Sequence, residues 1–196
     1  LRSVRLLSDS VALLLRQESS VLSSPPHSRR LAATGLAEGL VYDSVAAPLL
    51  GTLRLLCVAD EDRLRRGATE VCRRGLAAGG VPAEAASVFL GPSGTDGLWR
   101  QFCSCRLPSQ KIRALVALCE RLSGCCGAHA APGAEELLPL VSYSLASAVC
   151  SGAAEDLTSH LCIVESAMSS SDARNKQGYC LATIQVRSAM QLPILP

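Results

Sequence analysis

Apolar side chains in the first eighty residues recur every three or four positions, the spacing of one face of a helix. This pattern predicts an amphipathic helix over residues 3–22, followed by a proline-rich linker over residues 23–28. A second helix is predicted over residues 29–57, with a kink at Pro48, where proline removes a backbone N–H. Its expected core face is Leu36, Leu40, Tyr42, Val45, Leu49 and Leu53. A third helix is predicted from residue 60 to residue 78, because acidic residues at 60–62 suit a helix start and Gly79-Gly80 suits an end.

The helical period continues in the second half of the chain. Pro82 is expected to open a short helix, and the glycine-rich residues 91–97 are expected to form a loop. Trp99 and Phe102 are expected core anchors. The helix that opens at Pro108 has an expected inward face of Ile112, Leu115, Val116, Cys119 and Leu122. Further helices are predicted over residues 135–149, over residues 155–168, and from Tyr179 to a point before Pro193, with loops at 123–133 and 169–177.

The sequence contains no stretch with a sustained strand period and no internal repeat. Its apolar content rests on Leu, Ala and Val, of which Leu and Ala are strong helix formers. We therefore predict an all-α protein, a layered domain of about eight helices. Residues 1–28 are expected to form an N-terminal helical annex with its linker, and residues 29–196 the helical domain.

Charge and composition exclude several classes of partner. The net charge of +2 gives no electrostatic case for nucleic acid, and 3% aromatic residues leave few stacking platforms for single strands. We expect no secretory leader and no membrane span, and hence a cytoplasmic protein. Most of the ten cysteines lie singly in apolar helical patterns, so we expect reduced thiols.

Nucleotide and metal motifs are absent from the sequence. It has no phosphate loop ending in Gly-Lys-Ser/Thr and no Gly-x-Gly-x-x-Gly after a strand. The cysteine groups at 103–105 and 125–126, even with His129, lack the spacing of a zinc site, with buried or loop thiols as the alternative. We therefore expect neither a metal nor a cofactor. No histidine stands at a spacing that supports a Cys–His nucleophile pair.

Two short motifs carry the remaining candidate chemistry. Ala134-Glu135-Glu136-Leu137-Leu138-Pro139, with Tyr143, puts two carboxylates at the start of an apolar helix. Gln177-Gly178-Tyr179-Cys180-Leu181-Ala182-Thr183 opens the last helix, where Tyr179, Ala182 and Thr183 are expected to share a face. We interpret the two helix starts as one protein-binding site. The alternative for Glu135 and Glu136 is ordinary charge at a helix N-terminus, and for Pro139, expected in the first turn, a structural role. Tyr143 fits the core better than a contact surface.

Together the motifs resemble the vacuolar-protein-sorting-nine (VPS-nine) domain, a guanine nucleotide exchange module for Rab GTPases of the Rab-five subfamily. The family pattern is Ala-Asp-acidic-hydrophobic-Leu-Pro with a Tyr four residues on, and then Gly-acidic-x-Gly-Tyr-Tyr-hydrophobic-Thr. The likeness covers about residues 36–192, with support from Tyr42 and Pro48, the acidic helix start Ala59-Asp60-Glu61-Asp62 and the helix start at 108–112.

The resemblance implies roles for named residues. Glu135 stands where the family carboxylate pairs with the phosphate-loop lysine of the GTPase and displaces magnesium and phosphate contacts. Pro139 and Tyr179 stand where the family shapes a groove for the switch regions. The implied partner is a Rab-five-subfamily GTPase, and the implied location is the cytoplasm with peripheral association to endosomes through other domains.

The sequence departs from the family pattern at four positions. Glu135 replaces Asp and is one methylene longer, so Glu136 competes for its role. Ala182 replaces Thr, and Thr183 beside it is turned by about 100° on a helix. Cys180 replaces the second Tyr, and Lys176 replaces an acidic residue. Two alternatives to exchange activity therefore stay open: a non-catalytic Rab-binding or scaffold domain of the same fold, and an unrelated helical adaptor.

Overall fold

The structure is a computed structural model that describes residues 10–11, 26–78, 81, 94–125, 134–168 and 174–189. In these residues it contains no strand and six helices: α1 (Pro26–Ala78), α2 (Thr95–Ser104), α3 (Pro108–Ser123), α4 (Ala134–Cys150), α5 (Leu157–Ala167) and α6 (Lys176–Ala189). The prediction of an all-α layered domain is therefore confirmed. Of the helix predicted over residues 3–22, only Ser10 and Val11 are described, and both are helical. The short helix predicted at Pro82 lies outside the described residues.

The first long helix differs most from its prediction. α1 runs unbroken past residues 57–60, so the predicted separation into two helices is wrong. Its one non-helical residue is Gly75, at φ 78° and ψ 175°. Pro48 keeps helical backbone angles, and the Thr52 hydroxyl donates to the Pro48 carbonyl at 3.0 Å. The helix also begins at Pro26, inside the predicted linker, because proline suits a first helical turn.

The acidic residues at 60–62 lie in the middle of α1 and do not start a helix. Asp60 pairs with Arg63, and Asp62 pairs with Arg65 at 3.6 Å, both three residues along the same helix. Glu61 lies between them and faces the rest of the domain. Its carboxylate accepts the backbone N–H of Thr158, in the first turn of α5. Of the acidic residues at 60–62, Glu61 therefore does cap a helix, but the capped helix is α5 and not a helix that begins at residue 60.

Between residues 36 and 41, the buried face of α1 is shifted by one residue from the predicted face. Leu36 and Leu40 are 63% exposed, whereas Ala37 and Val41 beside them are buried. Neighbouring residues on a helix differ by about 100° in direction, so a shift of one residue turns a leucine from core to solvent. Further along, Tyr42 and Leu53 are buried as predicted.

A single large core holds α2 to α6 together with the second half of α1. Trp99 and Phe102 are 0% and 1% exposed, which confirms them as core anchors. Their rings meet edge to face with centroids 6.2 Å apart, and Trp99 Nε1 donates to Ser144 Oγ on α4 at 2.9 Å. On α3, Leu115, Cys119 and Leu122 are buried as predicted, with Ala114 and Leu118 beside them.

α1 is joined to the core helices by polar contacts as well as by packing. Glu38 accepts the backbone N–H of Ser109 at 2.8 Å and also the Ser109 hydroxyl, at the start of α3. Arg54 pairs with Asp156 at 2.6 Å, immediately before α5. By length and composition alone, the stretch Gly35–Leu76 of α1 could cross a membrane. These contacts run along the same stretch and place it on the helical domain.

Helix boundaries elsewhere move by a few residues. α2 begins at Thr95, so the last three residues of the predicted loop at 91–97 are helical. α6 begins at Lys176, three residues before the predicted start. The nine cysteines that the structure describes are all free thiols.

Candidate functional site

The first motif occupies the start of α4. Glu135 and Glu136 are the second and third residues of this helix, and their side chains lie outside the described part. The following turns fix the helix in place, because Leu137, Leu140 and Val141 are 2% exposed or less. The two carboxylates therefore stand on the first turn of a helix whose apolar side is anchored in the core.

Pro139 lies in the second turn of α4, not in the first turn as predicted. It is the sixth residue of the helix and is half-buried. Since proline has no N–H, it cannot donate to the carbonyl of Glu135 four residues before it. The regular ladder of helical hydrogen bonds is thus interrupted at the residue that carries the first carboxylate. The Ser142 hydroxyl donates to the adjoining Leu138 carbonyl at 2.7 Å.

Tyr143 is half-buried and packs against the main core. Burial raises the pKa of its phenol, and the neighbouring thiols of Cys72 and Cys150 raise it further. Its surroundings fit a core residue that supports α4.

Of the three candidate residues in the second motif, Tyr179 and Ala182 face solvent and Thr183 faces inward. Tyr179 is 49% exposed and Ala182 is exposed, whereas Thr183 is 8% exposed. The Thr183 hydroxyl donates to the Tyr179 carbonyl at 2.8 Å, so it is bound within its own helix. The prediction that all three residues share one face is therefore wrong for Thr183. Within the second motif, the exposed side chains of Tyr179 and Ala182 offer an aromatic ring and a methyl group to solvent.

Local contacts hold the start of α6 against the end of α3. Asn175 Oδ1 accepts the Gln177 N–H at 2.8 Å, which satisfies one free donor of the first turn. Lys176 forms an exposed ion pair with Glu120 at 2.6 Å, and its hydrogen bond to Glu120 raises the Lys176 pKa. Lys176 replaces the acidic residue of the family pattern, and its partner is the acidic side chain of a neighbouring helix.

Cys180, which replaces the second family tyrosine, points into the core. It is 1% exposed and its thiol interacts with that of Cys119 on α3, which is 3% exposed. This hydrogen bond and burial raise the pKa of the Cys119 thiol above its usual range. The substitution therefore places a small side chain in the interface between α3 and α6.

The two motif helices are neighbours in the fold. α4 packs against α6, and both pack against α3. The sequence alone did not predict the contacts that position them, namely those made by Glu120, Asn175 and Cys119. Of these, only Asn175 carried a local signal, since Asn is common at helix starts. Among the residues that the structure describes, no group of three or more His, Cys, Asp or Glu is placed to hold a metal.

Residues 98–191 match the family model of the Vacuolar sorting protein 9 (VPS9) domain. The match covers most of α2 and all of α3 to α6, including both motifs, and leaves α1 outside. No curated protein matches the sequence. At the level of the family, VPS9 domains are guanine nucleotide exchange factors for small GTPases of the Rab-five type. The match at residues 98–191, together with the all-α fold and the two motif helices side by side, supports a VPS9-type domain in this part of the chain.

Proposed function

We propose that this domain promotes GDP release from an early-endosomal GTPase of the Rab-five subfamily. The observation that carries the proposal is the adjacency of α4, which begins with two carboxylates, and α6, which exposes Tyr179 and Ala182. An exposed aromatic on a helix that packs against another helix with a charged start suits binding to a protein surface. The protein acts in the cytoplasm and reaches endosomal membranes through other domains.

Glu135 is the proposed catalytic residue. Its carboxylate pairs with the phosphate-loop lysine of the GTPase, because it offers that lysine the negative charge that the nucleotide phosphates otherwise supply. Exchange factor and nucleotide then weaken each other's binding reciprocally, and GDP leaves. Glu135 is one methylene longer than the aspartate of the family, so its neighbour Glu136 is the natural competitor for the same lysine.

The partner surface consists of Pro139 on α4 with Tyr179 and Ala182 on α6. Thr183 and Tyr143 support it from the inner side, since Thr183 is bound to its own helix and Tyr143 packs on the core. The match of residues 98–191 to the VPS9 model leaves the unrelated adaptor without support.

A non-catalytic Rab-binding domain is the second candidate. It is favoured by one observation: Ala182 has no hydroxyl, and the hydroxyl of Thr183 is already bound to the Tyr179 carbonyl. In a domain of this kind, the contact that the family makes to its GTPase through threonine is missing at Ala182. The remaining partner surface, Pro139 and Tyr179, is kept.

Binding to nucleotide-free and GTP-loaded forms of Rab-five-subfamily GTPases separates the two candidates. An exchange factor prefers the empty form, because it competes with nucleotide. A scaffold that recognises the active GTPase prefers the GTP-loaded form, and this result would contradict the proposal. Tyr179→Ala should weaken either interaction, whereas Arg113→Ala, at an exposed position of α3, serves as the control.

A further inference from the structure

A second possible site lies between α1, the connection from α2 to α3, and α5. It is a cavity of about 280 Å³. Its lining includes the apolar side chains of Leu50 on α1 and Ile163 on α5. The lining also includes Lys111, Arg106 and His160, so the cavity combines apolar side chains with two cationic ones.

Lys111 is a buried cation that has no anionic partner among the residues that the structure describes. It is 1% exposed, and its Nζ contacts the Phe102 carbonyl at 3.0 Å, the Cys103 carbonyl at 3.4 Å and His160 Nδ1 at 2.8 Å. All three acceptors are uncharged, since the pKa of His160 is lowered to about 3, first by burial and then by Lys111 and Arg54. No carboxylate in the described part of the chain forms an ion pair with Lys111.

A buried ammonium group with only neutral partners is costly, because hydrogen bonds do not replace the lost hydration of a full charge. Burial accordingly lowers the pKa of Lys111 to about 8. An anion in the cavity removes this cost by supplying the missing charge. The anion needs only one of the three N–H donors of the ammonium group. It replaces the weakest present contact, which is the one to the Cys103 carbonyl at 3.4 Å.

We propose that this cavity binds a small organic monocarboxylate, with its carboxylate against Lys111 and its apolar part against Leu50 and Ile163. Arg106 at the lining adds a second positive charge. Asp43 also lines the cavity, and its negative charge disfavours ligands with a second anionic group. A neutral amide of the same shape lacks the charge that Lys111 requires.

The size of the cavity limits the ligand. A volume of about 280 Å³ is at the lower end of small-molecule sites and admits a molecule such as benzoate or butyrate. Ligands of this size bind with a Kd on the order of 1 mM. Because α1 forms one wall and lies outside the matched VPS9 region, an occupied cavity also holds α1 more firmly against the domain. This proposal does not depend on exchange activity.

The test is a titration of the full chain with benzoate, followed by NMR shifts of the residues that line the cavity. Benzamide is the neutral control ligand. Lys111→Met keeps the unbranched apolar stem of the side chain and removes its ammonium group. Arg113→Met, which removes a nearby exposed charge of the same helix, is the matched control. Ala47→Trp blocks the cavity from an exposed position on α1 and leaves Lys111 in place.

Benzoate should bind saturably, and benzamide should bind at least tenfold more weakly. Lys111→Met and Ala47→Trp should each abolish benzoate binding. Arg113→Met should leave benzoate binding unchanged. Binding should also weaken from pH 7 to pH 9.5, as Lys111 loses its proton. Other titratable and charged groups lie near Lys111, near the His160 imidazole or along the cavity. They are Asp43, Arg54, Glu61, Cys103, Cys105, Arg106, Asp156 and His160 itself. Equal binding of benzamide, retained binding in folded Lys111→Met, or no saturation up to about 20 mM contradicts the proposal.

Discussion

Glu61 on α1 accepts the backbone N–H of Thr158 in the first turn of α5. This contact joins residues 97 positions apart and closes a helix start that its own sequence does not cap, since Asp156 at the N-cap makes no side-chain capping bond. Glu38 does the same for α3 through Ser109. A helix outside the matched VPS9 region thus supplies caps to two helices within it.

Glu61→Ala should lower the free energy of unfolding by about 1 kcal/mol, the usual effect of losing a helix cap. Glu61→Gln should cost less, because its amide oxygen still accepts the Thr158 N–H and no charge is buried. Urea unfolding at pH 7 measures both, with Glu155→Ala on the exposed surface as control. Equal stability of Glu61→Ala and Glu155→Ala would show that the cap contributes nothing.

Glu61 also predicts a pH dependence. Burial raises the pKa of its carboxyl group in the folded protein, and this exceeds the lowering by Thr158. The folded state therefore binds a proton more readily than the unfolded state, so stability relative to Glu61→Gln rises as pH falls through the raised pKa toward 4.5. A difference between the two proteins that does not change with pH contradicts this assignment.

The pair of Lys111 and His160 should make the protein sensitive to acid. His160 has its pKa lowered from 6.5 to about 3 in the fold, so unfolding takes up a proton at any pH between these values. Stability should fall as pH drops through this window, by up to about 1.4 kcal/mol per pH unit. His160→Asn, which keeps an acceptor for Lys111, should flatten the slope in urea unfolding at pH 4–7. An unchanged slope would place the acid sensitivity elsewhere.

Trp99 and Ser144 should be energetically coupled. Their side chains meet at 2.9 Å in the core, and Ser144 is 0% exposed. A double-mutant cycle with Trp99→Phe and Ser144→Ala should give a coupling free energy of about 1 kcal/mol, the usual net value of such a bond. Additive effects of the two substitutions would indicate that the bond does not stabilise the fold.

The sequence predicted the core helices α3 to α5 well because each has an apolar face with a clear helical period. It failed at α1, where Pro48 and the acidic residues at 60–62 resemble helix breaks. Within the continuous helix, Asp60 and Asp62 pair with arginines of α1, and Glu61 accepts from Thr158 on α5. No local pattern identifies a partner as distant as Thr158. The predicted burial of Leu36 and Leu40 was wrong for a related reason. The positions of α3 and α5 decide which of two adjacent faces of α1 is buried, and the sequence of α1 alone does not give these positions.

In the candidate site, sequence predicted the two motif helices but not the direction of every side chain. Thr183 is turned inward because the apolar residues next to it, Cys180 and Ile184, set the buried face of α6. The cavity at Lys111 was missed entirely. Its residues come from three separate parts of the chain, and a lysine within a helix normally indicates an exposed position.

Ala182→Thr tests whether the missing hydroxyl limits activity. Position 182 is exposed, so the substitution should leave the fold unchanged. If the hydroxyl of the family contributes one hydrogen bond to the GTPase, GDP release should accelerate about fivefold to tenfold, the effect of roughly 1 kcal/mol. Gln185→Thr, one turn away, is the control. A similar rate for all three proteins would mean that the departure at Ala182 is neutral.

The most direct measurement is the rate of release of a fluorescent GDP analogue from Rab-five-subfamily GTPases, with wild type, Glu135→Ala and Glu136→Ala compared. We predict that the wild type accelerates release, that Glu135→Ala abolishes the acceleration, and that Glu136→Ala keeps most of it. Glu135→Asp, which restores the family residue, should be at least as active as the wild type. Release that is unaffected by the wild-type domain across the subfamily, or acceleration that survives Glu135→Ala, would contradict the proposed exchange mechanism.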